Sequence, residues 1–201
     1  MSYYRLKKEC GMKKKRRLID KILEIELKMI LAVPSEEKSK VQENTSTFKA
    51  VRESGFEFWS IHTLQSYLRD LEKAQKKEVN LMELKYARMD DLIPPFNHNP
   101  IIDYIVKIES IWDKQTKRNY PNIFKGSLSN KDEENTRFER YLRAEYETFS
   151  NSTLSYYYIN LLEAVKEDRN LIEECLTVIF KSIGYQSLAE ANLYMSTEAK
   201  N

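Results

Sequence analysis

Two glutamates stand where the sequence pattern calls for apolar side chains. Glu26 follows Ile22 by four residues and precedes Met29 by three, and Glu109 holds the same place between Ile105 and Trp112. Residues three and four apart share a helix face, so both carboxylates fall on or beside apolar stripes. A carboxylate taken out of water costs several kcal/mol unless it is paired. One account of the pair is structural: a buried salt bridge, or a cap for a neighbouring helix. The other is a pair of acids facing each other across a cleft, able to hold a cation or an amine. Arg52 lies four residues after Phe48 and seven before Trp59, which also turns it inward. It would pair with Glu26, stack on Trp59, or hold a phosphate or carboxylate. In the second half of the chain the corresponding stretch offers Arg140, Arg143 and Glu145. Glu26, Arg52, Trp59, Glu109, Arg143 and Glu145 are therefore the candidate ligand-binding residues. Catalysis would fall to Glu26, Glu109 or Glu145 as general acid or base, which demands reach to a substrate and a tuned pKa.

The remaining reactive residues form no known constellation. Cys10 and Cys175 lie far apart, as do His62 and His98, and neither pair has metal-site or disulfide-framework spacing. There is no HExxH, P-loop, GxGxxG turn, GxSxG elbow or Cys/His dyad. The Arg52 to His62 spacing does not fit the compact Arg-x-x-x-x-His motif of helical ribonucleases. The sequence thus names no metal and no cofactor. Tyr156-Tyr157-Tyr158 cannot share one helix face, so Tyr157 is assigned to the core and a neighbour to the surface. Lys85 and Arg88 read as a solvated helix face. The basic run from Lys7 to Arg17 reads as a disordered lead-in, with contact to nucleic acid or an acidic partner as the sharper account.

These residues must be positioned by helices. Only four Gly and five Pro interrupt 201 residues, and apolar residues recur at steps of three and four. A first helix carries Leu18, Ile22, Ile25, Met29 and Val33, and a second of the same kind carries Ile101, Ile105, Ile108 and Trp112 behind Asn99-Pro100. A helix is expected from about Thr47 to Trp59. Others follow Ser60 and Ser150. Capping boxes at Asn80–Glu83 and Asn170–Glu173 open two more, and Ser187–Glu190 a short terminal one. Gly184 is placed to end a helix. Loops fall at 34–46, 91–99 and 114–136, the last being the best candidate for a functional loop. The formal charge of +2 gives no case for a dedicated nucleic-acid binder. No apolar run approaches the roughly 20 residues that span a membrane, and the basic N-terminus lacks a signal peptide's apolar core. A cytoplasmic location is expected.

Self-similarity organises the chain. Residues 48–83 align without a gap on 138–173, an offset of 90, with twelve identities in 36 positions, among them Phe48/Phe138, Ser60/Ser150, Tyr67/Tyr157 and Asn80/Asn170. Upstream, LIDKILEIE (Leu18 to Glu26) matches IIDYIVKIE (Ile101 to Glu109) at five of nine positions, an offset of 83. The expected architecture is all-α: two diverged tandem copies of a four-helix unit, packed as one helical domain. The divisions are a basic lead-in at 1–15, repeats at 16–92 and 99–184, and a short terminal helix and tail at 185–201.

The segments FKAVRESGFEFW (48–59), LQSYLRDLEKA (64–74), NLMELKYARM (80–89) and FERYLRAEYETFS (138–150) resemble a bacterial family known only as domain of unknown function 4125. The likeness runs from about Leu18 to Leu193. The Gly-rich, Cys-containing loop of that family is replaced here by SEEKSKVQENTS. The family also occurs joined to nucleotidyltransferase-like domains, whose Gly-Ser and paired-Asp signature is missing here. The resemblance therefore implies a possible separate nucleotidyltransferase-like partner. Three functions stay open: a binding module holding a small charged ligand or a peptide between the repeats, a regulatory or interaction subunit, and an enzyme using the inward carboxylates.

Overall fold

The computed structural model describes residues 3–34, 40–125 and 131–198. Its helices are α1 (Tyr3–Leu31), the single turn α2 (Lys40–Glu43), α3 (Thr45–Phe56), α4 (Ile61–Lys76), α5 (Leu81–Met89), α6 (Ile101–Asn119), α7 (Lys131–Glu147), α8 (Asn151–Lys166), α9 (Leu171–Ser182) and α10 (Leu188–Glu198). No strand occurs among the described residues. The protein is all-α, and none of these helices is long and apolar enough to cross a membrane.

Two sequence expectations change. The basic run is helical from Tyr3 onward, so α1 has no disordered lead-in within the described residues. Lys15 Nζ donates to the backbone carbonyl of Glu57, and Arg16 pairs with Glu53. The cations thus meet the C-terminal end of α3, where the helix dipole is negative. The 114–136 loop is shorter than expected, because α6 runs to Asn119 and α7 starts at Lys131. Residues 126–130, including Gly126, lie outside the described residues. The start of this loop is tied down by Tyr120, which donates to Glu173 (2.7 Å), and by the Asn122 N–H, which donates to Asn192 (2.8 Å).

The helix starts are set by short polar side chains. Ser60 and Ser150 accept from the N–H of Thr63 and Thr153, closing the first turns of α4 and α8. Asn80 and Asn170 cap α5 and α9 through their Oδ1 atoms. Each also reaches back with Nδ2, Asn80 to the Met29 carbonyl (2.8 Å) and Asn170 to the Trp112 carbonyl (3.1 Å). One residue thus opens a helix and pins it to α1 or α6. Gly184, at φ 107°, ends α9 in the left-handed conformation that glycine adopts freely.

The 90-residue register places corresponding residues in corresponding contacts. Helices α3, α4 and α5 pack on α1 as α7, α8 and α9 pack on α6. Across the middle, α3 meets α9 as α7 meets α5, and α4 lies on α8. At that last contact Asp70 accepts from the Ser150 N–H (3.1 Å) and the Thr153 hydroxyl (2.5 Å). Asn160, ninety positions later, accepts from the Ser60 N–H (3.1 Å) and the Thr63 hydroxyl (2.5 Å). Glu78 and Asp168 are both left-handed, at φ 56° and 54°. The core between these layers is filled by Ile22, Leu64 and Leu71 and by Ile105, Leu154 and Leu161, all fully buried. Burial of each such side chain is worth about 1.5–3 kcal/mol.

Candidate functional site

The inward polar residues gather where α3, α5 and α7 meet. Glu26, on α1, is fully buried. Arg52 Nε donates to Glu26 Oε2 at 2.9 Å and Nη2 to Oε1 at 2.5 Å, the paired fork geometry that suits a carboxylate. The Tyr67 hydroxyl donates to the same Oε1 at 2.7 Å. Arg52 Nη2 also lies 2.9 Å from Glu145 Oε1, and Lys85 Nζ lies 2.5 Å from Glu145 Oε2. Two carboxylates and two cations thus alternate in one chain, Glu26–Arg52–Glu145–Lys85. Its net formal charge is zero. Burial would push the Glu145 carboxyl up, but Arg52 and Lys85 outweigh it and hold the pKa down at about 2. Burial opposes the Lys85 charge as well, yet Glu145 and the Tyr141 hydroxyl keep that ammonium above its usual range.

The second half handles its glutamate differently. Glu109 accepts from the hydroxyls of Tyr146 (2.7 Å) and Tyr157. No cation pairs with it among the described residues. Burial dominates and raises its pKa to about 7, with the two hydroxyls pulling down and the charge on Glu145 pushing up. Burial likewise raises both tyrosines, and it raises the Cys175 thiol to about 12.

The two cations of the ion chain, Arg52 and Lys85, form the floor of an open groove of about 700 Å³, within the size range of small-molecule sites. Phe48, Val51, Met82, Tyr86 and Tyr141 make its walls, and Glu43, Asn44 and Thr47 complete the lining. Lys85 Nζ lies 4.0 Å from the centre of the Tyr141 ring, a cation–π contact. A smaller space of about 140 Å³ adjoins it, lined by Arg52, Gly55, Trp59, Glu145, Tyr146 and Tyr157 among others. The groove is built by the first half and, among the described residues, touches the second only at Tyr141, whereas the smaller space lies between the halves, with Tyr141, Glu145, Tyr146 and Tyr157 from the second.

Of the six candidate residues, the structure brings Glu26, Arg52 and Glu145 into direct contact. Glu109 sits behind Tyr146 and Tyr157 with its own hydrogen bonds. Trp59 is buried among Phe56, Tyr67, Phe149 and Tyr157 as part of the core and touches only the smaller space. Arg52 lies over the Phe56 ring at 4.9 Å instead of stacking on Trp59. Arg143 belongs elsewhere: it faces outward and pairs with Asp103 at 2.6 Å. Lys85, read as part of a solvated face, is buried in the site, and Arg88 pairs with the buried Glu147 at 3.0 Å. The signal for Lys85 was its place three residues after the core residue Met82. No group of three or more His, Cys, Asp or Glu suited to a metal occurs among the described residues.

A family model described as "Protein of unknown function (DUF4125)" matches residues 16–193. The chain belongs to that family. The match spans both halves and every residue of the ion chain. No curated protein and no solved structure matches the chain. The two halves of this DUF4125 protein differ where the ion chain stands. In the 90-residue register Arg52 corresponds to Leu142, Lys85 to Cys175 and Glu145 to Gly55. Every charge that joins Glu26 in the ion chain has an uncharged residue at the corresponding position near Glu109.

Proposed function

We propose that this protein is a binding module that holds a small charged ligand in the groove above Arg52 and Lys85, where Tyr141 of the second half closes against the first. The observation that carries the reading is the one-sided ion chain. A buried ion pair is a poor way to stabilise a fold, since well-packed apolar replacements are often neutral or better. Leu142, Cys175 and Gly55 occupy the corresponding places in the same helical frame without such charges. The two cations stand on the side where an open groove of about 700 Å³ reaches them. Glu26 and Glu145 are held by cations in fixed geometry. That suits a rigid binding floor better than a group that must exchange protons with a substrate.

The test is a thermal-shift screen against nucleotides, amino acids, polyamines, sugar phosphates and divalent metals. It is run on the natural protein and on a swap variant, Arg52→Leu, Phe56→Tyr, Lys85→Cys and Glu145→Ala, which gives Glu26 the surroundings of Glu109. A ligand at a hundredfold its Kd adds about 2.7 kcal/mol, or roughly 5–10 °C for a domain of this size. The expected result is a shift of that order in the natural protein and none in the folded swap variant. Equal shifts in both proteins, or a flat screen of the natural one, would defeat the reading. A flat screen would favour a protein partner, such as a separately encoded nucleotidyltransferase-like protein.

A further inference from the structure

Resting on that reading, we infer that the groove selects an oxyanion, a carboxylate or phosphate, carried on a flat apolar body, and that Arg52 Nη1 and Lys85 Nζ receive it. The inference follows from counting donors and acceptors along the floor. Both Glu26 oxygens accept hydrogen bonds, Oε1 from Arg52 and Tyr67 and Oε2 from Arg52. Glu145 meets its cations as ion pairs, Oε1 with Arg52 and Oε2 with Lys85, and the Oε2 atom is buried and accepts no hydrogen bond among the described residues. The donors are not exhausted. A guanidinium carries five N–H groups and an ammonium three. Arg52 commits Nε and Nη2, and Nη1 has no partner among the described residues. Lys85 meets one carboxylate oxygen and otherwise the face of Tyr141. The groups of the ion chain that line the groove are the two cations, so what the floor lacks is an acceptor. An incoming amine at the floor would find Glu26 saturated and Glu145 Oε2 buried, and would lie against two cations, with Glu43 the one carboxylate among the described residues that lines the groove outside the ion chain.

The walls define the rest of the ligand. Phe48, Tyr86 and Tyr141 offer ring surface, and Val51 and Met82 offer aliphatic surface, all within the same groove as the two cations. Val51 is half exposed although it is strongly apolar, which is the exposure expected of a wall. Arg52 is held by Glu26 and Glu145 before any ligand arrives. Its remaining N–H groups are thereby fixed in place, which lowers the entropic cost of binding.

The experiment uses four probes that share a ring and differ in head group, phenyl phosphate, benzoate, benzyl alcohol and benzylamine, with inorganic phosphate as the head alone. Binding to the full chain is followed by chemical-shift changes at the Met82 and Val51 methyl groups. The expected order is phenyl phosphate or benzoate at least about tenfold tighter than benzyl alcohol, benzylamine and inorganic phosphate. The ranking of phenyl phosphate against benzoate then identifies which oxyanion fits. The swap variant should lose the preference for the charged head. Tyr141→Ala, which keeps both cations, should weaken phenyl phosphate while leaving inorganic phosphate unchanged, and it serves if the swap variant fails to fold. Benzylamine or benzyl alcohol binding as tightly as the oxyanions would overturn the inference while leaving a ligand-binding groove standing. No shift at either methyl group with any probe at millimolar concentration would overturn both.

Discussion

Glu109 makes stability fall as the pH rises through neutrality. Its folded pKa of about 7 lies above the ordinary value of 4.5, chiefly through burial. Between those values the folded protein holds a proton that the unfolded chain has released. The unfolded state therefore binds fewer protons, and the stability contributed by this group declines with rising pH. It is fully present below about pH 4.5 and lost as the pH passes 7. The gap between 4.5 and about 7, at about 1.36 kcal/mol per pKa unit, corresponds to roughly 3 kcal/mol. Glu109→Gln keeps the shape and removes the titration. Urea unfolding of both proteins at steps from pH 5 to pH 8 isolates the effect, because every other titrating group is common to the two. The variant should gain on the natural protein across that range by a difference approaching 3 kcal/mol. Parallel stability curves would refute the reasoning, for they would mean that Glu109 is ionised in the folded protein at pH 5.

Two further outcomes follow from the packing. Arg52→Leu alone leaves Glu26 and Glu145 buried without their shared cation, and should cost about 3–5 kcal/mol, a fall in Tm of roughly 6–20 °C. The swap variant, which also removes Glu145 and Lys85, should recover most of that loss, and scanning calorimetry of the two variants checks it. Asp70→Ala removes the acceptor for the Ser150 N–H and the Thr153 hydroxyl and should cost about 1–3 kcal/mol. Asp70→Asn should stay within about 1 kcal/mol in the same urea assay, because Asn160 already plays that part at the corresponding place.

The helices were legible because the signals that define them are local. The stripe Leu18–Ile22–Ile25–Met29, the serines at 60 and 150 and the asparagines at 80 and 170 all act within a few residues of themselves. The meeting of Glu26 with Arg52 was legible for the same reason, since each breaks an apolar stripe. What the sequence left open depends on contacts between distant segments. Arg143 and Glu145 are two residues apart on one helix, which turns them to opposite sides, and no local pattern says which side meets α3. Lys85 looked solvated beside Arg88 because its partner, Glu145, lies sixty positions away. The hydroxyls of Tyr67, Tyr146 and Tyr157 looked like incidental parts of core rings, yet they are the donors that keep two buried carboxylates satisfied. The Gln42 side chain, in a stretch read as loop, donates to the carbonyls of Ile30 and Val33 and closes the end of α1.

The crossed bonds between α4 and α8 also bear on how the chain folds. Ser60 and Thr63 open α4, yet their outer partner is Asn160, and the opening of α8 depends in turn on Asp70. Neither half can complete the start of its own central helix by itself. Contacts spanning eighty to a hundred residues must therefore form before either helix is fully satisfied. Such long closures slow folding more than they weaken the folded state. During synthesis the Ser60 N–H and the Thr63 hydroxyl of the first half stay without their Asn160 partner until the second emerges. The two halves therefore melt and form as one cooperative unit, and a cut in the connection at 91–99 would leave two fragments that need each other.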